Sequence, residues 1–282
     1  MVAWHKKQHE TGPVPEPTAT EPTVQPTTPG PQPTTTAPTP SPTATTPPNV
    51  KNRVKASYTS RGLTSNYHLY TEGLDWSKPV GLLIYADGSG GYGFDNPNST
   101  YLMAGSNGII NVAKKHNMIL LMPEAPGPGC DGDDNCWYDS TAEKKAGWAG
   151  DLTRTITDQY PVSRNRVAVA GYSSGAEFTT RWFGPQQAPS IMDDGVFIPI
   201  SYGGRSYVTP TWDAEFKRNV PVTWDVGSAD RSALSAARGG ETWYKGQGFT
   251  TELNIVQGED HYRSGQFGAV VDREITQHVP AK

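Results

Sequence analysis

A Gly-x-Ser-x-Gly pentapeptide at residues 171–175 places Ser173 between two glycines, and the pattern occurs only once in the chain. The apolar run at residues 166–170 has the composition of a buried strand, and a short helical segment follows the pentapeptide. A serine at the tip of a strand–turn–helix connection is held in strained geometry, with its hydroxyl exposed at the carboxyl edge of a sheet. Ser173 is therefore predicted to be a nucleophile. The alternative is a chance occurrence of a short motif.

A serine hydroxyl becomes a good nucleophile when an imidazole, itself oriented by a carboxylate, removes its proton. In open α/β sheets the reacting groups collect beyond the carboxyl ends of the strands. Asp230 follows a predicted strand at residues 221–226, and His261 follows the next one at residues 249–256. The order serine, aspartate, histidine then agrees with a catalytic triad built on such a sheet.

Other residues compete for these two roles. Asp230 could instead cap the helix expected to begin near Ser232, which is a common role for aspartate. Asp225 lies inside the predicted strand and Asp260 directly precedes the histidine, so Asp230 is preferred as the acid. The remaining histidines lie in the polar tail, on an early strand, at a helix end and near the final helix: His5, His9, His68, His116 and His278.

A glycine-rich loop, Asp87–Gly93, follows the predicted strand Val80–Ala86. Such a loop lets backbone N–H groups converge on one point. The N–H of Ser89, with that of Gly88 as a close alternative, is predicted to donate to an oxyanion, and the N–H of Ser174 is predicted to be the second donor. A flexible turn or a phosphate cradle is the other interpretation, but no Gly-Lys-Ser/Thr follows.

These motifs resemble the α/β-hydrolase superfamily of serine esterases over roughly residues 50–282. Within it they are most similar to secreted polyester depolymerases, feruloyl esterases and acetylxylan esterases. The resemblance implies an α/β fold with a mostly parallel central sheet and helices on both faces. The chain departs from the family pattern twice. Asp87 stands where the family loop usually begins with His-Gly, and the histidine that is often preceded by glycine here follows Asp260.

Apolar and helical segments alternate along the chain, which is typical of a parallel sheet covered by helices on both faces. The predicted strands are residues 54–58, 67–72, 80–86, 117–122, 166–170, 221–226 and 249–256. The predicted helices are residues 108–116, 148–160 and 233–245. The first two strands are expected to form an antiparallel edge.

The amino-terminal part differs sharply from the rest in composition. Residues 13–48 contain 13 prolines and 12 threonines among 36 positions. Such a segment cannot bury enough apolar surface to offset the entropy of ordering it. Residues 1–49 are therefore predicted to be a disordered tail or linker, through which a partner module could be tethered, and residues 50–282 to be one catalytic domain.

Cys130 and Cys136 lie six residues apart in a loop rich in proline, glycine and aspartate, which predicts a small disulfide-closed ring. Residues 131–135 resemble the first half of a calcium loop. However, Cys136 and Ala142 stand where such a loop needs glycine and glutamate. No metal or other cofactor is predicted.

Charge and hydropathy restrict the partners and the location. The net charge is −4 without a basic cluster, which argues against nucleic acid, and no segment has the length and apolarity of a membrane span. Residues 1–10 lack the apolar core of a secretory signal. An extracellular or virion-associated protein is expected, with its signal missing from this chain or with another route of export.

The predicted function is serine carboxylic-ester hydrolysis through an acyl-enzyme, on short-acyl esters or on esters linked to a polysaccharide or polyester. Six aromatic residues could form a platform for rings, although packing is their more usual role: Trp137, Tyr138, Trp148, Trp182, Trp212 and Trp243. Two alternatives are a serine peptidase with the same triad and a non-catalytic module that binds carbohydrate or cell walls, for example on a phage tail. The complete set of Ser173, Asp230 and His261 favours the enzyme.

Overall fold

The computed structural model describes residues 47, 49–127, 129–130 and 135–279. The predicted disordered linker lies almost entirely outside these residues, as does most of the calcium-like loop. The structure therefore does not test the predicted disorder of the linker or the interpretation of the calcium-like loop.

Within the described residues, one sheet of eight strands forms the centre of the domain. The strands are β1 (Arg53–Ser60), β2 (Leu63–Tyr70), β3 (Val80–Ala86), β4 (Met118–Pro123), β5 (Val162–Tyr172), β6 (Gly195–Ile200), β7 (Val222–Gly227) and β8 (Thr251–Val256). Their spatial order is β1-β2-β4-β3-β5-β6-β7-β8. Strands β1 and β2 pair antiparallel with each other and β2 with β4, whereas every pair from β4 to β8 is parallel. The predicted antiparallel edge and parallel centre are confirmed.

Helices follow the parallel strands along the chain. They are α1 (Tyr92–Asp95), α2 (Ile109–Lys115), α3 (Ala142–Gln159), α4 (Ser174–Glu177), α5 (Gly184–Gln186), α6 (Ala214–Asn219), α7 (Arg231–Gly246) and α8 (Phe267–His278). A π-helical segment, Phe178–Phe183, continues α4 into α5. No helix in the described part of the chain is both long enough and apolar enough to span a bilayer.

A hydrophobic core lies on each face of the sheet. Strand β3 contributes side chains to both cores. Leu82 and Ile84 point into a core shared with α3 and α7, while Leu83 and Tyr85 point into a second core shared with α2 and α8. This division follows from the two-residue period of a strand. Because both faces are covered, the central strands are continuous apolar runs, as parallel strands usually are.

Strand β6 is the central element that the sequence interpretation missed. Pro199 lacks an N–H, and proline inside an apolar run argues against a central strand. The missing N–H interrupts the pairing of β6 with β7. Phe197 and Ile200 pair with residues of β7, whereas the two residues between them do not. The strand is nevertheless fully buried between β5 and β7.

Cys130 and Cys136 form a disulfide with their Cα atoms 5.8 Å apart, as predicted. Both cysteines are buried. The bridge closes the segment between β4 and α3. Asn135, next to Cys136, accepts a hydrogen bond of 2.9 Å from the N–H of Gly90. The disulfide therefore lies beside the glycine-rich loop that follows β3.

Candidate active site

Ser173 lies at the tip of the turn between β5 and α4, with φ 52° and ψ −113°. This conformation is unfavourable for a residue with a side chain and costs on the order of 1–3 kcal/mol. The N–H of Ser173 donates to the carbonyl of Ile200 at 2.9 Å. A Cβ on Gly175 would overlap the carbonyl of Ala86, and one on Gly171 would overlap the carbonyl of Gly175. The two flanking glycines are thus required by close backbone approach.

The structure brings the predicted nucleophile, base and acid together. The Nε2 atom of His261 lies 2.9 Å from the Oγ atom of Ser173. On the other side of the ring, Nδ1 is hydrogen-bonded to Oδ2 of Asp230. Because an ionised carboxylate can only accept, Nδ1 carries the proton and Nε2 is left to accept from the serine hydroxyl. This is the arrangement needed for base-assisted attack by a serine.

Asp230 combines the two roles that the sequence left as alternatives. Its Oδ1 atom accepts a hydrogen bond from the N–H of Ala233 at 3.2 Å and so caps α7. Its Oδ2 atom contacts His261. The cap fixes the carboxylate to the helix, and the second oxygen can then orient the imidazole.

The competing acid, Asp225, has a different function. Its side chain is buried in β7, where Oδ1 contacts Nε of Arg263 at 2.7 Å and Oδ2 contacts Arg273 at 2.9 Å. Asn254 donates to the same Oδ2 at 2.6 Å. Arg263 lies two residues after His261 and has φ 48°, so the ion pair fastens an unfavourable turn of the histidine loop to the sheet.

Backbone hydrogen bonds also join the loop of the acid to the loop of the base. The N–H of Ala229 donates to the carbonyl of Glu259 at 2.9 Å, and the N–H of Gly258 donates to the hydroxyl of Ser228 at 2.9 Å. Asp260, the other competing acid, accepts from the N–H of Tyr262 at 2.9 Å. It shapes the turn that presents the histidine.

Asp87 organises the glycine-rich loop after β3. Its Oδ1 atom accepts from the N–H of Gly88 at 2.9 Å, and its Oδ2 atom accepts from the N–H groups of Gly93 and Phe94 at 2.7 and 3.2 Å. Burial raises the pKa of the Asp87 carboxyl above its ordinary value, although the three donors work in the opposite direction. The side chain thus closes the loop on itself.

This arrangement separates the two candidate oxyanion donors in the loop. The N–H of Gly88 is already used by Asp87, so it is not free to bind an oxyanion. The N–H groups of Ser89 and Ser174 donate to no acceptor among the residues described by the structure. An available N–H at each of these two positions is what an oxyanion hole requires.

A cavity of about 530 Å³ opens beside Ser173 and His261. Apart from the loop Asp87–Ser89, its lining is mainly aromatic and apolar: Tyr92, Tyr101, Leu102, Tyr172, Tyr262 and Phe267. Three of these tyrosines are 52, 48 and 61% exposed and form a rim around the opening: Tyr92, Tyr101 and Tyr262. The sequence interpretation missed this rim. The signal available was that Tyr172 directly precedes the serine and Tyr262 directly follows the histidine.

The tryptophans considered as a platform serve packing. Trp137, Trp148 and Trp182 are buried in the core on the α3 face of the sheet. Trp212 and Trp243 pack against Tyr244, with ring centroids 5.6 and 5.1 Å apart. None of these five tryptophans lines the cavity beside Ser173.

Comparison with known proteins gives similarity at the level of structure alone. No family model matches the chain, and no curated protein sequence matches it. A thermostable esterase superposes with a TM-score of 0.55 at 15% identity, covering 78% of this chain and 60% of its own. This chain therefore spans less than two thirds of that esterase.

Two further esterase structures are covered more completely. The carboxylesterase of Bacillus cereus superposes with a TM-score of 0.52 at 13% identity, over 74% of this chain and 94% of its own. A serine-to-alanine mutant of the feruloyl esterase module from Clostridium thermocellum, complexed with sinapinate, superposes with a TM-score of 0.51 at 15% identity. It covers 82% of this chain and 87% of its own. The chain has the α/β-hydrolase fold, as the resemblance predicted.

Proposed function

We propose that this protein is a serine carboxylic-ester hydrolase. The observation that carries the proposal is the contact between Ser173 Oγ and His261 Nε2 at 2.9 Å, with Asp230 bonded to the other ring nitrogen. A binding module has no need for this set of contacts on a strained turn. The fold alone would not support the proposal, because one fold serves many functions.

The proposed reaction begins with attack of Ser173 Oγ on the ester carbonyl carbon. His261 Nε2 takes the serine proton, and Asp230 stabilises the imidazolium that results. The negative charge that develops on the carbonyl oxygen is bound by the N–H groups of Ser89 and Ser174, each contributing a few kcal/mol. His261 then protonates the leaving alcohol as the carbon–oxygen bond breaks. The acyl group remains on Ser173.

Water completes the cycle by the same steps. His261 removes a proton from a water molecule, whose oxygen attacks the acyl-enzyme carbonyl. The tetrahedral intermediate collapses, Ser173 leaves with the proton from the imidazolium, and the carboxylic acid is released.

The cavity beside Ser173 favours, as substrates, esters with a compact apolar acyl group, either a short chain or a single ring. Its volume of about 530 Å³ and its tyrosine-rich lining suit such groups. Aromatic side chains gain about 0.5–1.5 kcal/mol from ring pairing beyond the burial of area. The exposed tyrosine rim leaves room for an acyl group that is carried on a polymer.

A second, polar cavity of about 380 Å³ adjoins this one and shares Tyr101 with it. Its lining offers hydroxyl and amide groups and no charged side chain: Thr100, Ser106, Asn107, Ser264 and Gln266 are among the residues that line it. Uncharged hydrogen-bonding groups suit a neutral polyhydroxyl compound better than an ionic one. This supports a sugar or polysaccharide as the alcohol part of the ester.

The proposal is tested with p-nitrophenyl acetate, butyrate, benzoate and palmitate, together with labelling by a fluorophosphonate. Hydrolysis of the first three esters, slower hydrolysis of palmitate, and a label on the peptide that contains Ser173 are expected. Faster hydrolysis of palmitate would contradict the proposed acyl group but not ester hydrolysis. Cleavage of casein without cleavage of any ester would favour the peptidase, and neither activity nor label would favour a binding module.

The proposed location is extracellular or on a virion, with the Pro/Thr-rich segment as a linker to a partner module. The disulfide between Cys130 and Cys136 supports an oxidising compartment, because structural disulfides are rare in the cytosol. Labelling of free thiols in the protein purified from its native source tests this. Two reactive thiols would contradict the proposed location.

A further inference from the structure

Three side chains that play no part in the proposed reaction meet near the amino-terminal end of β8, at the opposite end of that strand from the His261 loop. They are Glu252 on β8 and Glu274 and His278 on α8. We propose that these residues bind one divalent cation of the zinc type and that the ion fastens α8 to the edge strand of the sheet.

The spacing of the donor atoms suits a single ion. The Nε2 atom of His278 lies 3.5 Å from Oε2 of Glu274 and 4.0 Å from Oε1 of Glu252, and all three donor atoms lie within 4.8 Å of one another. Ligands at about 2.0 Å from a tetrahedral zinc ion are roughly 3.3 Å apart. Small rotations of the side chains would therefore complete the coordination. Glu274 and His278 are four residues apart on one helix, so both project from the same face.

Burial gives an independent indication that a ligand belongs here. The side chain of Glu274 is only 5% exposed. Its Oε2 atom and the Nε2 atom of His278 are both buried, and they approach each other to 3.5 Å without the geometry of a hydrogen bond. Buried polar atoms that lack a hydrogen bond are uncommon and costly, the more so when they are charged. A cation between these two atoms would satisfy both.

The other oxygen of Glu274 is already held in place. Arg273 contacts Oε1 of Glu274 at 2.6 Å and also reaches Asp225 at 2.9 Å. Because Oε1 is fixed by the guanidinium, Oε2 is directed toward His278. A ligating carboxylate that is oriented by a second residue is a common feature of metal sites.

The donor types restrict the metal. One imidazole nitrogen and two carboxylate oxygens suit Zn²⁺ and similar transition ions, whereas Ca²⁺ and Mg²⁺ prefer oxygen ligands alone. Glu252 is 48% exposed, so solvent can supply the fourth ligand. The competing explanation is an imidazolium that pairs with both carboxylates without any metal.

The test uses the full chain without a histidine tag, treated with EDTA and dialysed. Calorimetric titration with ZnCl₂ is expected to give one site per chain. Thermal unfolding is expected to shift upward by on the order of 5 °C when free zinc reaches about 100 times Kd. His278→Gln and Glu274→Gln are each expected to abolish both effects. His116→Gln is the matched control, because His116 pairs with Asp272 beside Lys115 and should leave the zinc response intact.

Absence of binding and of any thermal shift in the wild type would overturn the proposal. So would a response that persists in both His278→Gln and Glu274→Gln, since zinc would then bind elsewhere. Should the buried substitutions prevent folding, Glu252→Gln changes an exposed ligand and is expected to weaken binding at least 10-fold, and an unchanged Kd would overturn the proposal. Ester hydrolysis by the EDTA-treated protein is expected to be unaffected, which separates this result from that for the proposed function.

Discussion

Ser173 and His261 contact each other, yet the segments that carry them are held in different ways. The Ser173 turn is fixed by backbone atoms, because Gly175 packs directly on the carbonyl of Ala86. The His261 loop is fixed by a side-chain ion pair between Arg263 and Asp225.

The glycine-rich loop after β3 is also fixed by a side chain, as the His261 loop is. The carboxylate of Asp87 collects three backbone N–H groups and so sets the path of the loop. Where backbone atoms are in van der Waals contact, an added side-chain atom has no space, and the turn cannot form. A side-chain hydrogen bond or ion pair can be removed while the rest of the fold still forms. We therefore expect a substitution that crowds the backbone of the Ser173 turn to threaten folding itself, and a substitution of an anchor to leave a folded protein with a lower rate of catalysis.

The largest effect is expected for Gly175→Ala, because its Cβ would overlap the carbonyl of Ala86. The variant should fail to fold or lose more than about 3 kcal/mol of unfolding free energy, at or beyond the upper end for overpacking. Gly239→Ala is the control. Gly239 lies in α7 with nothing near its Cβ position, so alanine there should stabilise the protein by roughly 0.5–1 kcal/mol. Urea denaturation measures both, and a stable, active Gly175→Ala variant would contradict the account of the turn.

A smaller effect is expected for Arg263→Met, which leaves Asp225 with Arg273 and Asn254 as remaining partners. The free energy of unfolding should fall by about 3 kcal/mol, which is near the lower end of the range for breaking a buried ion pair. Because the histidine loop loses its anchor, kcat of the folded protein should fall about 10- to 100-fold, in the range seen when a supporting residue is removed, with little change in KM. Arg164→Met removes an exposed ion pair with Asp193 and should change kcat by less than about twofold. Equal kcat values for the two variants would show that Arg263 does not position the base.

Asp87→Asn should act more mildly. The amide retains one acceptor oxygen, but its NH₂ group would face one or two of the backbone N–H donors that Asp87 now accepts. We expect kcat to fall about 10-fold, less than the loss of a complete oxyanion donor, with KM nearly unchanged. Asp95→Asn, on the exposed side of the same segment, should leave kcat unchanged. A change in KM alone would mean that the loop binds substrate and does not position the oxyanion donor.

The smallest effect is expected from His68, which supports the glycine-rich loop from β2. Its Nε2 atom donates to the carbonyl of Phe94 at 2.8 Å, and its Nδ1 atom accepts from the N–H of Lys55 at 3.0 Å. Burial lowers the pKa of His68, and the bond to Phe94 only partly opposes this. Since the folded-state pKa lies below the unfolded value, the stability contribution is present above pH of about 6.5 and is lost as the pH falls below it.

Thermal unfolding between pH 7.5 and 5 measures this contribution. His68→Gln removes the titrating group, so the variant should lose less stability on acidification than the wild type does. All other residues are the same in both proteins, so the difference between them reports on His68. An equal loss of stability on acidification in the wild type and the variant would contradict the contribution assigned to His68.

The sequence predicted those parts of the site that depend on local order along the chain. The strand–turn–helix context of Ser173 and the post-strand positions of Asp230 and His261 are local patterns, and the structure has Ser173 after β5, Asp230 after β7 and His261 after β8. The α/β fold followed from the alternation of apolar and helical segments.

The parts that the sequence did not predict depend on contacts between distant segments. The ion pair of Asp225 with Arg263 and the tyrosine rim with Tyr101 each need the folded arrangement of several loops. The choice between Gly88 and Ser89 as donor depended on where the Asp87 side chain turns. Strand β6 was missed because Pro199 is a local signal against a central strand, and tertiary burial outweighed that signal.

Ser173 is the proposed nucleophile, and a comparison of Ser173→Ala with Ser174→Ala separates its side chain from that of its neighbour. The proposed role of Ser174 is carried by its backbone N–H, which alanine retains. We predict that Ser173→Ala lowers kcat for p-nitrophenyl butyrate by at least about 10⁴-fold, while Ser174→Ala stays within roughly 10-fold of wild type. Equal activity of Ser173→Ala and wild type, with both proteins folded by circular dichroism, would contradict the account.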